Sequence, residues 1–236
     1  MTVTWAIVLA AGQGTRMGGN VPKQYIEVMD RPLLYYTLKA VEGSSADRVV
    51  IVTDREHMRY VLSDIVDKYN FKKVVSICEG GRERPVSVLH GLDDIKEQAG
   101  ADDIVLIHDG ARACISSEAI DAVRADVFRY GAAIAAMPCK DTIKISDRDG
   151  FIRETTDRSL SWQAQTPQGF LYGEISAAYL KAMERDISKI TDDAQVWNMA
   201  FPDRKIKLTQ AGYDNIKVTT PEDMILAEQI LSHGSY

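Results

Sequence analysis

Four short apolar runs, set apart by stretches of helical periodicity, constrain this chain of 236 residues more than any other feature. They are Trp5-Ala6-Ile7-Val8-Leu9, Arg48-Val-Val-Ile-Val-Thr53, Lys73-Val-Val-Ser-Ile77 and Asp103-Ile-Val-Leu-Ile-His108. Each is apolar or β-branched at most positions, and the first two read as strands buried in a sheet. Between them, Pro32 suits the first turn of a helix reaching about Val41. Met58, Val61, Leu62, Ile65 and Val66 recur at helical spacing further on. Strands alternating with helices predict an α/β fold with a doubly wound, mostly parallel, Rossmann-like sheet, in one domain over residues 1–236. In such sheets ligands sit beyond the carboxyl ends of the strands, so the strand-to-helix corners carry the functional argument.

The first corner runs Ala10-Ala11-Gly12-Gln13-Gly14-Thr15-Arg16-Met17-Gly18-Gly19-Asn20-Val21-Pro22-Lys23-Gln24. Glycines admit positive φ and close approach of bare backbone to a ligand, and successive inward N–H groups make an anion-binding concavity. Arg16 and Lys23 add one bidentate and one compact cation. The loop ends without the Gly-Lys-Ser/Thr of a Walker motif, and Met17 stands where a dinucleotide fingerprint needs Gly or Ala. A net charge of −6 excludes a general nucleic-acid binder, so the cations an anionic ligand needs must be concentrated locally, as they are here. Cys78, Cys114 and Cys139 lack zinc or redox spacing and read as reduced, mostly buried thiols of a cytoplasmic protein. The first apolar run is too short for a signal peptide or a membrane span.

The pairing of this glycine loop with Pro22-Lys23-Gln24-Tyr25 resembles the signature of the sugar-phosphate cytidylyltransferases, and within them most closely the methylerythritol phosphate cytidylyltransferase family. The resemblance covers the chain from about Thr4 to Leu231. It implies that Ala10, Ala11, Gly12 and Gly14 wrap the phosphates of CTP. Arg16 and Lys23 then stabilise charge at the α-phosphorus.

The later corners extend it. Glu79-Gly80-Gly81-Arg82-Glu83-Arg84-Pro85-Val86-Ser87 reads as a Gly-Gly turn entering a helix at Pro85, with Ser87 in its first turn. The family has Gly-Gly-x-x-Arg-x-x-Ser-Val here, which implies nucleoside contacts for Gly81, Arg82 and Ser87. Asp109-Gly110-Ala111-Arg112 follows the most apolar run. On residue type alone Asp109 reads equally as a Mg²⁺ ligand or a turn carboxylate. Resemblance to His-Asp-x-Ala-Arg-Pro implies the metal role for Asp109, a nucleotide contact for Gly110 and a substrate contact for Arg112. His108 reads as a hydrogen-bonded core residue.

Beyond the next helix, 117–130, and the small-residue strand Ala132–Met137, the pattern changes. Thr142-Ile-Lys-Ile-Ser146 alternates, Asp149-Gly150 is a hairpin turn, and Phe151-Ile-Arg-Glu-Thr155 returns. An isolated hairpin is marginal, so residues 139–160 predict an arm that leans on a partner subunit. The family resemblance implies the same, an arm exchanged across a homodimer, with Thr142 and Arg158 on the sugar phosphate. Trp162-Gln163-Ala164-Gln165-Thr166-Pro167-Gln168-Gly169-Phe170 carries a Thr-Pro-Gln-x-Phe pattern that resembles the family's, which puts Thr166 near the acceptor; the plainer alternative is a proline-directed loop in which Thr166 caps a turn. Asp192 and Asp193 read as acids at a helix N-terminus and nothing more. Lys205–Thr209 and Asn215–Thr219 read as closing strands. Lys217, which alternation places opposite Ile216 and Val218, is directed at the phosphates by the resemblance.

The implied reaction is Mg²⁺-dependent transfer of CMP from CTP to a polyol phosphate, methylerythritol phosphate, in non-mevalonate isoprenoid synthesis. Ribitol 5-phosphate is the rival acceptor. A nicotinamide-dependent oxidoreductase and a catalytically silent nucleotide-binding module are the rivals from other classes. Neither nucleic acid nor membrane is an expected partner.

Overall fold

The computed structural model describes residues 2–12 and 21–233; Gly14 and Arg16 lie outside them. In chain order, β1 (Thr4–Ala10) precedes a 3₁₀ turn at Lys23–Tyr25 and a short antiparallel pair, β2 (Glu27–Val28) and β3 (Arg31–Pro32). Then come α1 (Leu33–Gly43) and β4 (Arg48–Thr53). A helix that starts as α2 (Met58–Tyr60) widens into a π-helical stretch over Val61–Asp67. It leads to β5 (Val74–Glu79), α3 (Arg84–Asp94), β6 (Ile104–Asp109), α4 (Ser117–Tyr130) and β7 (Ala132–Pro138). The arm strands β8 (Lys144–Ser146) and β9 (Ile152–Thr155) follow, then β10 (Trp162–Leu171), α5 (Tyr172–Ala182), α6 (Asp193–Ala200), β11 (Lys207–Gln210) and α7 (Pro221–His233).

Among the described residues these strands form a seven-stranded sheet in the order β11-β7-β10-β6-β1-β4-β5. Three of the four apolar runs, β1, β4 and β6, take its interior, whereas β5 is an edge strand with Val75 51% exposed. Ala6, Val8, Val49, Ile51 and Leu106 face a core shared with α1, α4 and α7. Trp5, Ile7, Val50, Val52, Val105 and Ile107 face the opposite core, under α3, α5 and α6. Two buried faces are why these segments show no polar alternation. β1 pairs in parallel with both β4 and β6, so strand order reverses beside it. The carboxyl ends of β1 and β6 therefore open the crevice where such folds bind ligands.

Two readings are corrected. The Thr166-Pro167 segment is part of a sheet strand rather than a loop: β10 runs antiparallel to both β6 and β7. Proline cannot donate to a ladder, and Pro167 is tolerated because the register against β7 shifts between Ala164 and Gln168. Conversely, residues 215–219 form no strand. They are tied down by scattered bonds, among them Val218 N–H to the Ala111 carbonyl at 2.9 Å and Asn215 Nδ2 to the Thr166 carbonyl at 2.9 Å.

The hairpin forms as expected. β8 and β9 pair with each other as a separate two-stranded sheet. The Asp147 carboxylate accepts from the N–H groups of Asp149 and Phe151, and Gly150 takes φ +87° at the turn. Phe151, Ile152 and Leu160 are 72%, 66% and 78% exposed, unlike apolar side chains in the body of the sheet.

Candidate active site

At the end of β1, the Ala10 carbonyl collects the side chains of the Pro-Lys-Gln-Tyr turn. Gln24 Nε2 donates to it at 2.5 Å and the Tyr25 hydroxyl approaches at 3.4 Å. Tyr25 also hydrogen-bonds Thr53 Oγ1 at the end of β4 and stacks on His57. Burial pushes its phenol up to about 12, so it stays protonated. Gln24 and Tyr25 are thus anchors, and the residue they present to the cleft is Lys23.

The second wall is the turn after β5. A Cβ at Gly80 would lie 2.4 Å from the Ala11 side chain, so glycine there lets the two corners touch. Gly81 N–H donates to Ser87 Oγ at 3.0 Å, which clasps the turn to the first turn of α3. Glu83 makes no side-chain cap, leaving the first N–H groups of α3 for an anion. Arg82, expected as a nucleoside contact, is exposed on the rim. The arginine turned inward is Arg84, two residues on, where the chain has entered the helix.

Asp109 lies between these walls, at the end of β6 and 8% exposed. Its Oδ1 accepts from Arg84 Nε at 3.1 Å and its Oδ2 from Lys217 Nζ at 2.7 Å. Its N–H donates to Thr166 Oγ1 at 3.0 Å. Burial by itself would raise this carboxyl's pKa. The charges of Arg84 and Lys217 outweigh burial and hold it far below the ordinary carboxylate range. Beneath it, burial pushes His108 down to about 4, so a neutral imidazole bonds Thr166 Oγ1 at 3.0 Å and the Arg112 carbonyl at 3.3 Å.

Lys23, Ala11, Gly12, Arg84, Asp109 and Lys217 line one cleft of about 180 Å³. It joins cations from three distant stretches of chain around one ionised carboxylate, with open helix N–H groups beside them. This suits a polyphosphate. Gly110 lies just behind: its N–H donates to the Leu9 carbonyl at 2.8 Å, and a Cβ there would come within 2.9 Å of that oxygen. Thr166 is buried, its hydroxyl shared between Asp109 and His108, which makes it a support for the carboxylate. Arg112 Nη1 donates to the Asn215 carbonyl at 2.8 Å. Thr142 and Arg158 are exposed on and beside the arm and do not line the cleft.

Among the described residues no group of three or more His, Cys, Asp or Glu could hold a metal ion. The carboxylate of Asp109 accepts one hydrogen bond on each oxygen, leaving lone pairs for a further ligand. A single carboxylate suits Mg²⁺, which takes its other ligands from phosphates and water. The donor set fits such an ion and does not fit a protein-caged one.

Sequence reasoning missed Arg84 and Asp193. Asp193, fully buried, takes Arg84 in a bidentate pair at 2.8 and 2.7 Å and accepts from the Tyr179 hydroxyl at 2.5 Å. The Gly-Gly-x-x-Arg spacing pointed to Arg84, whereas no local signal marks Asp193, whose partner is 109 residues away.

A parallel-sheet crevice that gathers cations around one ionised carboxylate defines a nucleotidyltransferase of the α/β class. The family model described as IspD, 2-C-methyl-D-erythritol 4-phosphate cytidylyltransferase, matches residues 4–233. The chain belongs to that family. It is 45% identical to the 2-C-methyl-D-erythritol 4-phosphate cytidylyltransferase of Lachnoclostridium phytofermentans over 228 residues, 96% of this chain and 95% of the relative. The enzyme of the same name from Lachnospira eligens is also 45% identical, with 94% and 96% covered. Among solved structures, the 4-diphosphocytidyl-2C-methyl-D-erythritol synthase of Anaerococcus prevotii superimposes with a TM-score of 0.86 at 32% identity, covering 98% of this chain and 97% of that one.

Proposed function

We propose that the chain transfers the cytidylyl group of CTP to 2-C-methyl-D-erythritol 4-phosphate, releasing pyrophosphate, in the non-mevalonate route to isoprenoids. The full-length family membership supports this reading. The observation that carries it is the cleft in which Lys23 faces the Arg84–Asp109–Lys217 cluster.

An oxygen of the acceptor phosphate attacks the α-phosphorus of CTP in line. The bond from that phosphorus to the bridging oxygen breaks, and its electron pair leaves with pyrophosphate. Positioning and neutralisation of charge supply the acceleration, so no protein nucleophile is needed. Lys23, with Arg16 from the adjoining loop, stabilises the pentavalent centre. Lys217 neutralises phosphate charge, and the open N–H groups at α3 and the Ala10–Gly12 backbone take phosphate oxygens. Gly81 and Ser87 shape the wall for the nucleoside. Asp109 would hold Mg²⁺, which when bound neutralises charge on the leaving pyrophosphate.

Thr142, Arg158 and Arg112 are assigned to the acceptor. Because the first two stand on an exposed arm, we assign them to the cleft of a second subunit in a twofold homodimer. Among the described residues no helix is long and apolar enough to cross a membrane, and Cys78, Cys114 and Cys139 form no disulfide. Both fit an enzyme of the reducing cytoplasm. Pyrophosphate release from CTP with methylerythritol phosphate or ribitol 5-phosphate as acceptor tests the assignment. Turnover is expected with the first. Preference for ribitol phosphate overturns the acceptor, and no release with either overturns the reaction.

A further inference from the structure

We infer that Asp193 is a positioning residue for this reaction, acting on Asp109 through Arg84. The inference rests on the cleft being the nucleotide site.

Arg84 spends its guanidinium on two carboxylates. Its Nη1 and Nη2 donate to Asp193 at 2.8 and 2.7 Å, while Nε donates to Asp109 at 3.1 Å. The two-point contact fixes the plane of the guanidinium, and hence the direction of its remaining Nε–H. Asp193 has no solvent exposure, so its charge must be satisfied internally. The Tyr179 hydroxyl completes that task from α5, and burial followed by the Asp193 charge raises the phenol well above its ordinary pKa.

The position of Asp193 is itself fixed from β10. Gln168 Oε1 accepts from Ala194 N–H at 2.9 Å, and its Nε2 donates to Asp192 Oδ2 at 3.1 Å. One short stretch of β10 therefore grips Asp109 twice. Thr166 holds its backbone N–H, and Gln168 sets the start of α6, where Asp193 fixes Arg84 of α3, which holds its carboxylate. A carboxylate held at both ends presents its remaining lone pairs in one direction, which a metal-bound triphosphate requires. A surface acid at a helix N-terminus would be neither buried nor paired this way.

The test is a mutant cycle on pyrophosphate release, with folding followed by circular dichroism. Asp193→Asn keeps the shape and removes one charge; we expect kcat/KM for CTP to fall about tenfold or more, the scale of a lost charge-assisted pair. Arg84→Met is expected to fall at least as far. The double variant should be no worse than Arg84→Met alone, because Asp193 acts only through Arg84. Arg84→Lys, which keeps charge without the fork, should not restore activity. Equal activity of wild type and Asp193→Asn overturns the inference, as do losses that multiply in the double variant. If Asp193→Asn does not fold, Tyr179→Phe replaces it in the same cycle. A Tyr179→Phe loss that persists beside Arg84→Met, or no loss at all, is then decisive against it. An inactive wild type counts against the proposed reaction instead.

Discussion

The cleft and the arm are opposite kinds of construction. At the cleft, Asp109 is buried and held by Arg84, Thr166 and Lys217, which lie 25, 57 and 108 residues away in the chain. At the arm, β8 pairs among the described residues only with β9, and large apolar side chains face outward. Burial with long-range partners gives the cleft a fixed geometry from one chain. The arm has turn chemistry and two short strands, and apolar surface of that kind calls for cover from outside. The difference teaches where to look for an incomplete site: the groups gathered around Asp109 come from the chain's own fold, and on the proposed reading the acceptor groups of the arm serve a second copy.

The largest effects should fall on the cleft. Lys23→Ala is expected to lower turnover by roughly two orders of magnitude or more, with a smaller loss of CTP affinity, as for other lost transition-state donors. Near-normal turnover would remove Lys23 from the chemistry. Asp109→Asn should reduce activity comparably and move the Mg²⁺ titration to higher concentration; an unchanged titration would leave Asp109 a turn residue.

The arm gives the next test. Lys23→Ala and Arg158→Ala homodimers should each be nearly inactive. In a mixed dimer one site collects both defects and the other neither, so random exchange should restore roughly a quarter of all sites. Mixed dimers verified by tag capture that stay inactive would place Arg158 in its own subunit's site.

A smaller effect concerns the support under Asp109. Thr166→Val leaves a buried N–H without its acceptor, at a cost of about 1–3 kcal/mol, and should reduce kcat/KM about tenfold. Unaltered kinetics would mean that Arg84 and Lys217 hold the carboxylate unaided.

The smallest concerns pH. Because burial lowers the folded pKa of His108 to about 4, below its unfolded value of about 6.5, the unfolded chain binds the extra proton between them. Stability from this group is complete above about pH 6.5 and is lost as pH falls toward 4, by up to about 3 kcal/mol. Denaturant melts of His108→Asn should show a flatter decline over that window, whatever the variant's stability at pH 7.

What could be read in advance follows the same division. β4 was legible to its ends, Arg48 and Thr53, because a strand buried on both faces leaves a continuous apolar run. Ser116 and Gly131 bound α4 by local chemistry, a side-chain cap at one end and a left-handed turn at the other. The loop alternative for 162–170 fails because β10 is a ladder strand, and only its neighbours show how the shifted register accommodates Pro167. Alternation in 215–219 imitated a strand, since Lys217 must point away from Val218 to reach Asp109 even without a ladder. Arg82 and Arg84 are alike as residue types; the Gly-Gly-x-x-Arg spacing marks Arg84, and the entry into α3 is what turns it inward. Asp193 was illegible because its worth lies in a partner 109 residues away on another helix.

The antiparallel path of β10 limits where this chain can change length. The strand leaves the root of the arm at Trp162 and reaches Thr166 four residues later, roughly 13 Å at strand rise. Around the turn at Asp147–Phe151 only local hydrogen bonds are at stake, so added residues would lengthen a loop and little else. One residue added between Ser161 and Thr166 would turn Thr166 to the other side of the sheet, away from the Asp109 amide. Natural or engineered length variation should therefore collect at the tip of the arm and stop at its base.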